Sequence, residues 1–334
     1  MRVALVVNPQ AKRTRDPALF DALRQAADRA GVPTDLIATQ SIDDLPSRLA
    51  AARDTGCDVL AVCGGDGSLA ALIAAAAPIF PSLPPMLILP GGTMNTVARN
   101  LGLRGPIVDL WQRSLRDLQA ALDVSRLPLV RQDVLRATMA DERPLRDSEP
   151  DQSASPVLRC RYGFIFGAAM GARYLAAYDS HPQRGPAWAT WLALRTVGSS
   201  LIPGGGSFAR WLFSMTPTEL CIDDEPMADR AFRIVLCATV PDVGLGFRVP
   251  WQAGRVPGRF HVVASGIPIT RNALQLPRML RGQPLVGSPH VDRLAQTATL
   301  AFERPQQLTL DGEVFSGSHI ELAVGPALQI LLPT

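Results

Sequence analysis

Lysine is almost absent from this sequence: of its 33 basic residues one, Lys12, is a lysine and the remaining 32 are arginines. Histidine is scarce at four, aromatic residues make up 6%, and the 30 acids nearly cancel the bases, leaving a formal charge of +3 over 334 residues. So small a charge generates no bulk field for a polyanion, and no RNA- or DNA-binding motif occurs, so nucleic acid is excluded as a partner. Long hydrophobic runs are missing too. Nothing approaches the roughly 18 uninterrupted apolar residues of a membrane-crossing helix, and "MRVALVVNP" has no secretory cleavage signature. A protein of the cytoplasm is expected. The five cysteines, Cys57, Cys63, Cys160, Cys221 and Cys237, are odd in number and form no C-x-x-C or Cys/His ligand cluster. They read as reduced core thiols. His181, His261, His290 and His319 stand far apart and receive no role.

What is present is a regular alternation in the first third. "RVALVV", "TDLIAT", "DVLAVCG" and "PMLILPGG" are short apolar runs of the kind buried in a parallel sheet. Between them, helices are expected over Pro17–Ala30, closed by Gly31, over Ile42–Thr55, and over Ser68–Ala77, with another opening at Thr96–Leu101. This pattern predicts an open parallel α/β sheet over 1–122. From about Asp123 strand-like segments follow, including Leu158–Phe166, Phe232–Thr239, Arg259–Ala264, Ala298–Glu303, Gln307–Leu310, His319–Ala323 and Leu328–Leu332. Residues 123–334 are therefore expected to form a mainly antiparallel β-sandwich. The polar, proline-bearing stretch 141–156 reads as a mobile loop.

Three turns rich in glycine or asparagine each follow an expected strand: "VVNPQAKR", "VCGGDGS" and "LPGGTMN". Loops at the carboxyl ends of parallel strands converge on one crevice, so the three could share a ligand. Gly64, Gly65 and Gly67 let backbone amides approach a phosphate at a helix N-terminus, and Gly91, Gly92 and Thr93 repeat the pattern one strand later. Neither G-x-x-x-x-G-K-[ST] nor G-x-G-x-x-G occurs, which removes the P-loop and the usual dinucleotide fingerprint. Taken singly, G-G-D-G is as readily a plain tight turn. Asp311-Gly312 likewise carries a strong hairpin signal.

"NPQAKR", "GGDGS", "PGGTMNTVAR" and the distant "LDGE" resemble, in order and approximate separation, the diacylglycerol kinase catalytic-domain family of bacterial lipid kinases and sphingosine kinases. The resemblance implies transfer of the γ-phosphate of ATP to a lipid hydroxyl in a cleft between a nucleotide-binding domain (1–122) and a lipid-substrate domain (123–334), with Mg²⁺. It implies that Asn8, Gly64, Gly65, Asp66, Gly67, Ser68, Gly92, Thr93 and Asn95 surround the nucleotide. Asp311 would accept the hydroxyl proton, with Glu313 assisting through the metal or hydrogen-bond network, and Asp123 would bind metal indirectly. Lys12, where the family often has a basic residue, is equally a phosphate neighbour or a solvated loop lysine. Asp123 is equally a turn acid.

The sequence departs from the family at Ala70 and Ala71, where an Asn-Glu pair is frequent, and at Thr96, where Asp is common. These departures keep a catalytically dead lipid-binding or regulatory protein in view. An NAD kinase-like enzyme shares G-G-D-G, but its T-P-T-G-S-T-A-Y segment is absent. Residues 181–217 contain no acid and combine Trp188, Trp191, Phe208, Trp211 and Phe213 with Arg184, Arg195 and Arg210. Residues 243–291 are also free of acids and hold six arginines. Both stretches suit a peripheral contact with an anionic membrane at its inner face, against the alternative that the aromatics fill a core. The acceptor lipid is not encoded in a short motif, and a homo-oligomer is left open.

Overall fold

The computed structural model describes residues 1–38, 43–121, 123–139, 159–182 and 185–334. The expected loop at 141–156 lies outside the described residues. The chain divides into two compact units: Met1–Gln132 with Pro326–Thr334, and Asp133–Gly325.

The first unit alternates β1 (Val3–Val7), α1 (Pro17–Ala30), β2 (Thr34–Ala38), α2 (Leu45–Asp54), β3 (Val59–Gly64), α3 (Asp66–Ala76) and β4 (Met86–Pro90). It continues with α4 (Thr96–Asn100), α5 (Ile107–Ala120) and β5 (Leu129–Gln132). Every residue of β1, β3 and β4 is buried, as continuous Val/Leu/Ile runs covered on both faces must be. α1 has clear local causes: Asp16 accepts the Ala18 amide at its start, and Gly31 takes the left-handed conformation at its end (φ 62°).

The sheet order is β2-β1-β3-β4, then the last strand of the chain (Leu328–Leu331), then β5. β1 to β4 are parallel, and the last strand runs parallel to β4 but antiparallel to β5. Strand order therefore reverses between β1 and β3. With right-handed crossovers, reversal sends α1 to one face and α2 and α3 to the other, in keeping with the packing of α1 on α5 and of α2 on α3.

In the second unit the elements are β6 (Leu135–Met139), β7 (Arg159–Gly163), β8 (Ile165–Ala169), α6 (Met170–Asp179), α7 (Pro186–Leu201) and α8 (Ser207–Leu212). There follow β9 (Thr216–Pro217), β10 (Glu219–Ile222), β11 (Glu225–Pro226), β12 (Ala231–Phe232), β13 (Ile234–Ala238) and β14 (Phe260–Ser265). Then come α9 (Ile269–Ala273), α10 (Leu276–Arg281), β15 (His290–Ala295), β16 (Thr297–Leu310) and β17 (Glu313–Val324). An antiparallel sheet runs β15-β14-β13-β8-β16-β17-β6-β7, with β10 added alongside β16. Its core is built on Phe166, Phe232, Phe260, Phe315, Leu300 and Ile320, all essentially inaccessible to solvent.

The architecture expected from the sequence holds, an α/β unit followed by an antiparallel β unit, with three differences. The division falls after Gln132 rather than after 122, because β5 hydrogen-bonds into the first sheet and Val124–Arg126 is a single 3₁₀ turn. The last strand, expected among the β-rich half, returns to the first unit. The expected strands 298–303 and 307–310 are one element, β16, irregular between Ala301 and Gln306. α5 to α10 are not among the expected helices.

Candidate functional site

The reversal point between β1 and β3 is where an open α/β sheet leaves a crevice at its carboxyl edge. The side chain of Asn8, just past β1, donates from Nδ2 to Ser68 Oγ at 2.9 Å, joining the two strand ends across it. Asn8 Oδ1 accepts the Gln10 amide, and its carbonyl accepts the Thr14 hydroxyl and the Ala11 amide. The turn "NPQA" is thus held by one asparagine.

Glycine at 64, 65, 91 and 92 has a steric cause. A Cβ on Gly64 would stand 2.5 Å from Ser68 Cβ and Oγ, and one on Gly92 would stand 2.5 Å from the Gly65 Cα. One on Gly91 would meet Thr14 Cγ2 at 2.8 Å. The turns after β3 and β4 therefore touch backbone to backbone, and the Gly91 and Gly92 amides both donate to the Gly64 carbonyl (2.8 and 3.2 Å). Asn95 completes the second turn from a left-handed conformation (φ 49°): its amide donates to the Gly92 carbonyl, and its Oδ1 accepts the Gly92 amide, each at 2.9 Å.

Asp66 opens α3, and its carboxylate reaches the start of α4, where Oδ2 accepts the Thr96 amide (2.8 Å) and Oδ1 the Val97 amide (3.0 Å). The repeat of the phosphate-cradling device expected at Gly91–Thr93 is therefore occupied by the protein itself. The Gly91 and Gly92 amides serve the neighbouring turn, and the α4 end is capped by Asp66. What stays available to an anion is the N-terminus of the 11-residue α3, whose first amides have no preceding helical turn to bond. Thr93, the residue after Gly92, is exposed. Thr96 meets Asp66 through its backbone, so that bond does not depend on the side chain in which the sequence departs from the family. Asp66→Asn keeps one acceptor oxygen and loses the other, and we expect it to cost about 1–2 kcal/mol in urea unfolding; an unchanged midpoint would contradict the capping role.

In the second unit, Asp311-Gly312 forms the two-residue hairpin turn between β16 and β17, with Leu310 paired to Glu313 and both turn residues at positive φ (48° and 91°). The hairpin reading and the carboxylate reading describe the same residue. Asp311 Oδ1 and Oδ2 accept the Phe164 amide at 3.0 and 2.9 Å, and Oδ1 also accepts the Ile165 amide at 2.9 Å. Gly163 makes room for this: a Cβ there would lie 2.7 Å from Asp311 Oδ2 and 2.6 Å from Leu310 Cγ. The half-buried carboxylate is thus fixed in direction by the β7–β8 turn. Gly163 and the two amides are site features that no motif in the sequence announces.

Glu313 is exposed and pairs with Arg161 Nη1 at 2.9 Å. Asp123 is fully exposed and caps the 3₁₀ turn, where the Ser125 hydroxyl and amide hold its carboxyl below the usual range. Lys12 is exposed in the loop after β1. Among the described residues no group of three or more His, Cys, Asp and Glu side chains is placed to hold a metal.

The expectation of core cysteines needs correction: Cys160, on edge strand β7, is exposed, and Cys57 and Cys221 are only partly buried. Cys63 and Cys237 are buried, and burial pushes the Cys63 thiol up to about 12 and that of Cys237 higher. Two of the histidines also come together. His261 Nε2 lies 2.6 Å from Asp292 Oδ1 and His290 Nε2 lies 3.5 Å from Oδ2, across β14 and β15, with the Trp251 indole N–H donating to the same carboxylate. Burial would raise Asp292, but these hydrogen bonds outweigh it and hold it well below the ordinary range.

Residues 2–127, all within the first unit, match the model of the diacylglycerol kinase catalytic domain. Similar solved structures include a provisionally assigned diacylglycerol kinase from Bacillus anthracis str. Sterne, with TM-score 0.65 and 16% identity over 99% of this chain and 95% of that one. A second structure, of a diacylglycerol kinase from the same organism, gives TM-score 0.61 and 16% identity over 99% and 96% of the two chains. At that identity the likeness shows the fold, and it spans both units. No curated protein matches the sequence.

Proposed function

We propose, from the premise that residues 2–127 match the diacylglycerol kinase catalytic domain, that this chain is a lipid kinase that moves the γ-phosphate of ATP to a lipid hydroxyl. The observation that carries the reading is the conjunction of two devices in one chain: a glycine-built turn pair beside a free helix N-terminus at the β1/β3 reversal, and a carboxylate locked in direction at Asp311.

Phosphoryl transfer asks little covalent help of a protein. It asks for in-line positioning, neutralisation of charge and an acceptor for the hydroxyl proton. In this reading the first amides of α3, with Asn8, Gly64, Gly65, Gly67, Ser68 and Thr93, line the phosphates. Asp66, Asn95 and Gly92 hold that geometry, Asp66 by capping α4. Asp311 accepts the proton of the acceptor hydroxyl, its carboxylate oriented by the Phe164 and Ile165 amides. Glu313, balanced by Arg161, and Asp123 stand as auxiliary acids. Mg²⁺, when bound, neutralises phosphate charge.

The test is transfer of label from γ-labelled ATP to a panel of detergent-dispersed lipids bearing free hydroxyls, with diacylglycerol among them. Label is expected in at least one lipid, and its loss is expected when Mg²⁺ is chelated. A folded protein that labels none of them overturns the kinase reading in favour of the binding-protein alternative raised by Ala70, Ala71 and Thr96.

A further inference from the structure

A helix on a protein surface normally turns its polar side outward, and α7 turns an apolar side outward as well as inward. At about 100° per residue, Trp191, Leu194, Arg195, Gly198 and Leu201 share one side. Ala189, Leu192 and Ser200, on the opposite side, are buried. Leu194 is 67% exposed, and Trp191 and Leu201 are each 48% exposed. The face continues through exposed Ile202 to α8, which packs beside α7 and carries exposed Trp211. The one charged group in the α7 stripe is stacked on aromatic rings: the Arg195 guanidinium lies 4.2 Å from the Phe208 centroid and 5.4 Å from that of Trp191. Arg210 is exposed on α8, and α9, packed on α7, adds exposed Arg271.

We propose that this face docks on an anionic phospholipid surface. Exposed Leu and Ile suit the acyl boundary, Trp suits the headgroup level, and exposed arginine suits anionic headgroups. Residues 181–217 and 243–291 contain no Asp or Glu. The same fact argues against a second copy of this chain as the occupant: a two-fold contact through this face would bring Arg195 and Arg210 toward their own copies, with no carboxylate of 181–217 to meet them. Among the described residues no helix is long and apolar enough to cross a membrane, so the contact is with the surface. The inference stands on the second unit alone and does not require the lipid to be a substrate.

The test is co-sedimentation of the full chain with phosphatidylcholine vesicles, with and without phosphatidylglycerol, at low salt. Binding is expected to the phosphatidylglycerol vesicles. It is expected to weaken by about tenfold or more in Leu194→Glu/Leu201→Glu, and Arg195→Gln/Arg210→Gln should lose the preference for phosphatidylglycerol. The substituted side chains are exposed, and circular dichroism melting verifies that the variants fold. Absence of binding by the wild type, or binding indifferent to Leu194→Glu/Leu201→Glu, overturns the proposal. A concentration-dependent dimer in ultracentrifugation that this variant abolishes, without vesicle binding, assigns the face to a second copy and overturns it as well. Lipid labelling in detergent is a separate readout, so failure here leaves the kinase reading standing, and the reverse.

Discussion

Asp311→Asn is expected to lower phosphoryl transfer to lipid by roughly 10²–10⁴-fold, the range in which a positioned general base contributes, while leaving the KM for ATP within about threefold, since the nucleotide contacts assigned above lie in the first unit. Asparagine suits the backbone here, because it tolerates the left-handed φ of 48°. The side chain cannot reproduce the bonding, because its NH₂ would face the Phe164 or Ile165 amide that the carboxylate now accepts. A stability loss of about 1–2 kcal/mol is therefore expected, measurable in urea and small enough to leave the protein folded at 25 °C. Steady-state assays on the folded variant separate the two effects. Undiminished kcat would remove Asp311 from the role of base and leave it a hairpin residue.

Gly92→Ala should have the largest effect on stability, about 3 kcal/mol or more, with loss of nucleotide binding in whatever fraction stays folded. The added methyl would stand 2.5 Å from the Gly65 Cα, 2.9 Å from Asn95 Oδ1 and 3.2 Å from the Gly65 nitrogen. Two of these are backbone atoms held by the Gly91 and Gly92 bonds to the Gly64 carbonyl. No rotamer change relieves such a contact, so the two turns must separate. Separation pulls β3 and β4 apart at their carboxyl edge, the place where α3 begins. Urea unfolding and ATP titration by intrinsic fluorescence check both parts. A midpoint close to wild type would mean that the two turns are not in contact in solution.

Much of the first unit was legible in the sequence because its causes are local. "ALVV", "VLAVC" and "LIL" are apolar without interruption, which signals strands covered on both faces, and Pro17 and Gly31 bracket α1 by backbone preference alone. Ile107, Leu110, Trp111, Leu115 and Leu118 mark α5 just as openly, in a stretch to which no helix was assigned. α7 was hidden for a physical reason: Trp191, Leu194 and Leu201 make its outer face as apolar as its inner one, so the contrast that reveals a surface helix is weak.

The site was legible as a set of motifs but not as a division of labour. In the sequence, glycine at 64, 65, 67, 91 and 92 reads as backbone offered to phosphate. The structure assigns Gly91 and Gly92 to contact with the neighbouring turn, and Asp66 to the cap of α4, 30 residues away in sequence. Asp292 is similar: His290 stands two residues away on the same strand, but His261, 31 residues away, meets it only through the register of β14 on β15.

By itself the sequence determined β1 to β4 and α1 to α4 of the first unit and that an antiparallel β-rich half follows, because periodicity, caps and turn residues act within a few positions, and its turns resemble those of the diacylglycerol kinase catalytic domain. Only the tertiary structure decided that "LQIL" closes the first sheet rather than the second, that Gly163 makes room for the Asp311 carboxylate, and that the apolar side of α7 faces outward. Three apolar residues in four state that a strand will be buried; which strand lies beside it is set by contacts across some 200 residues of chain, which no local pattern records.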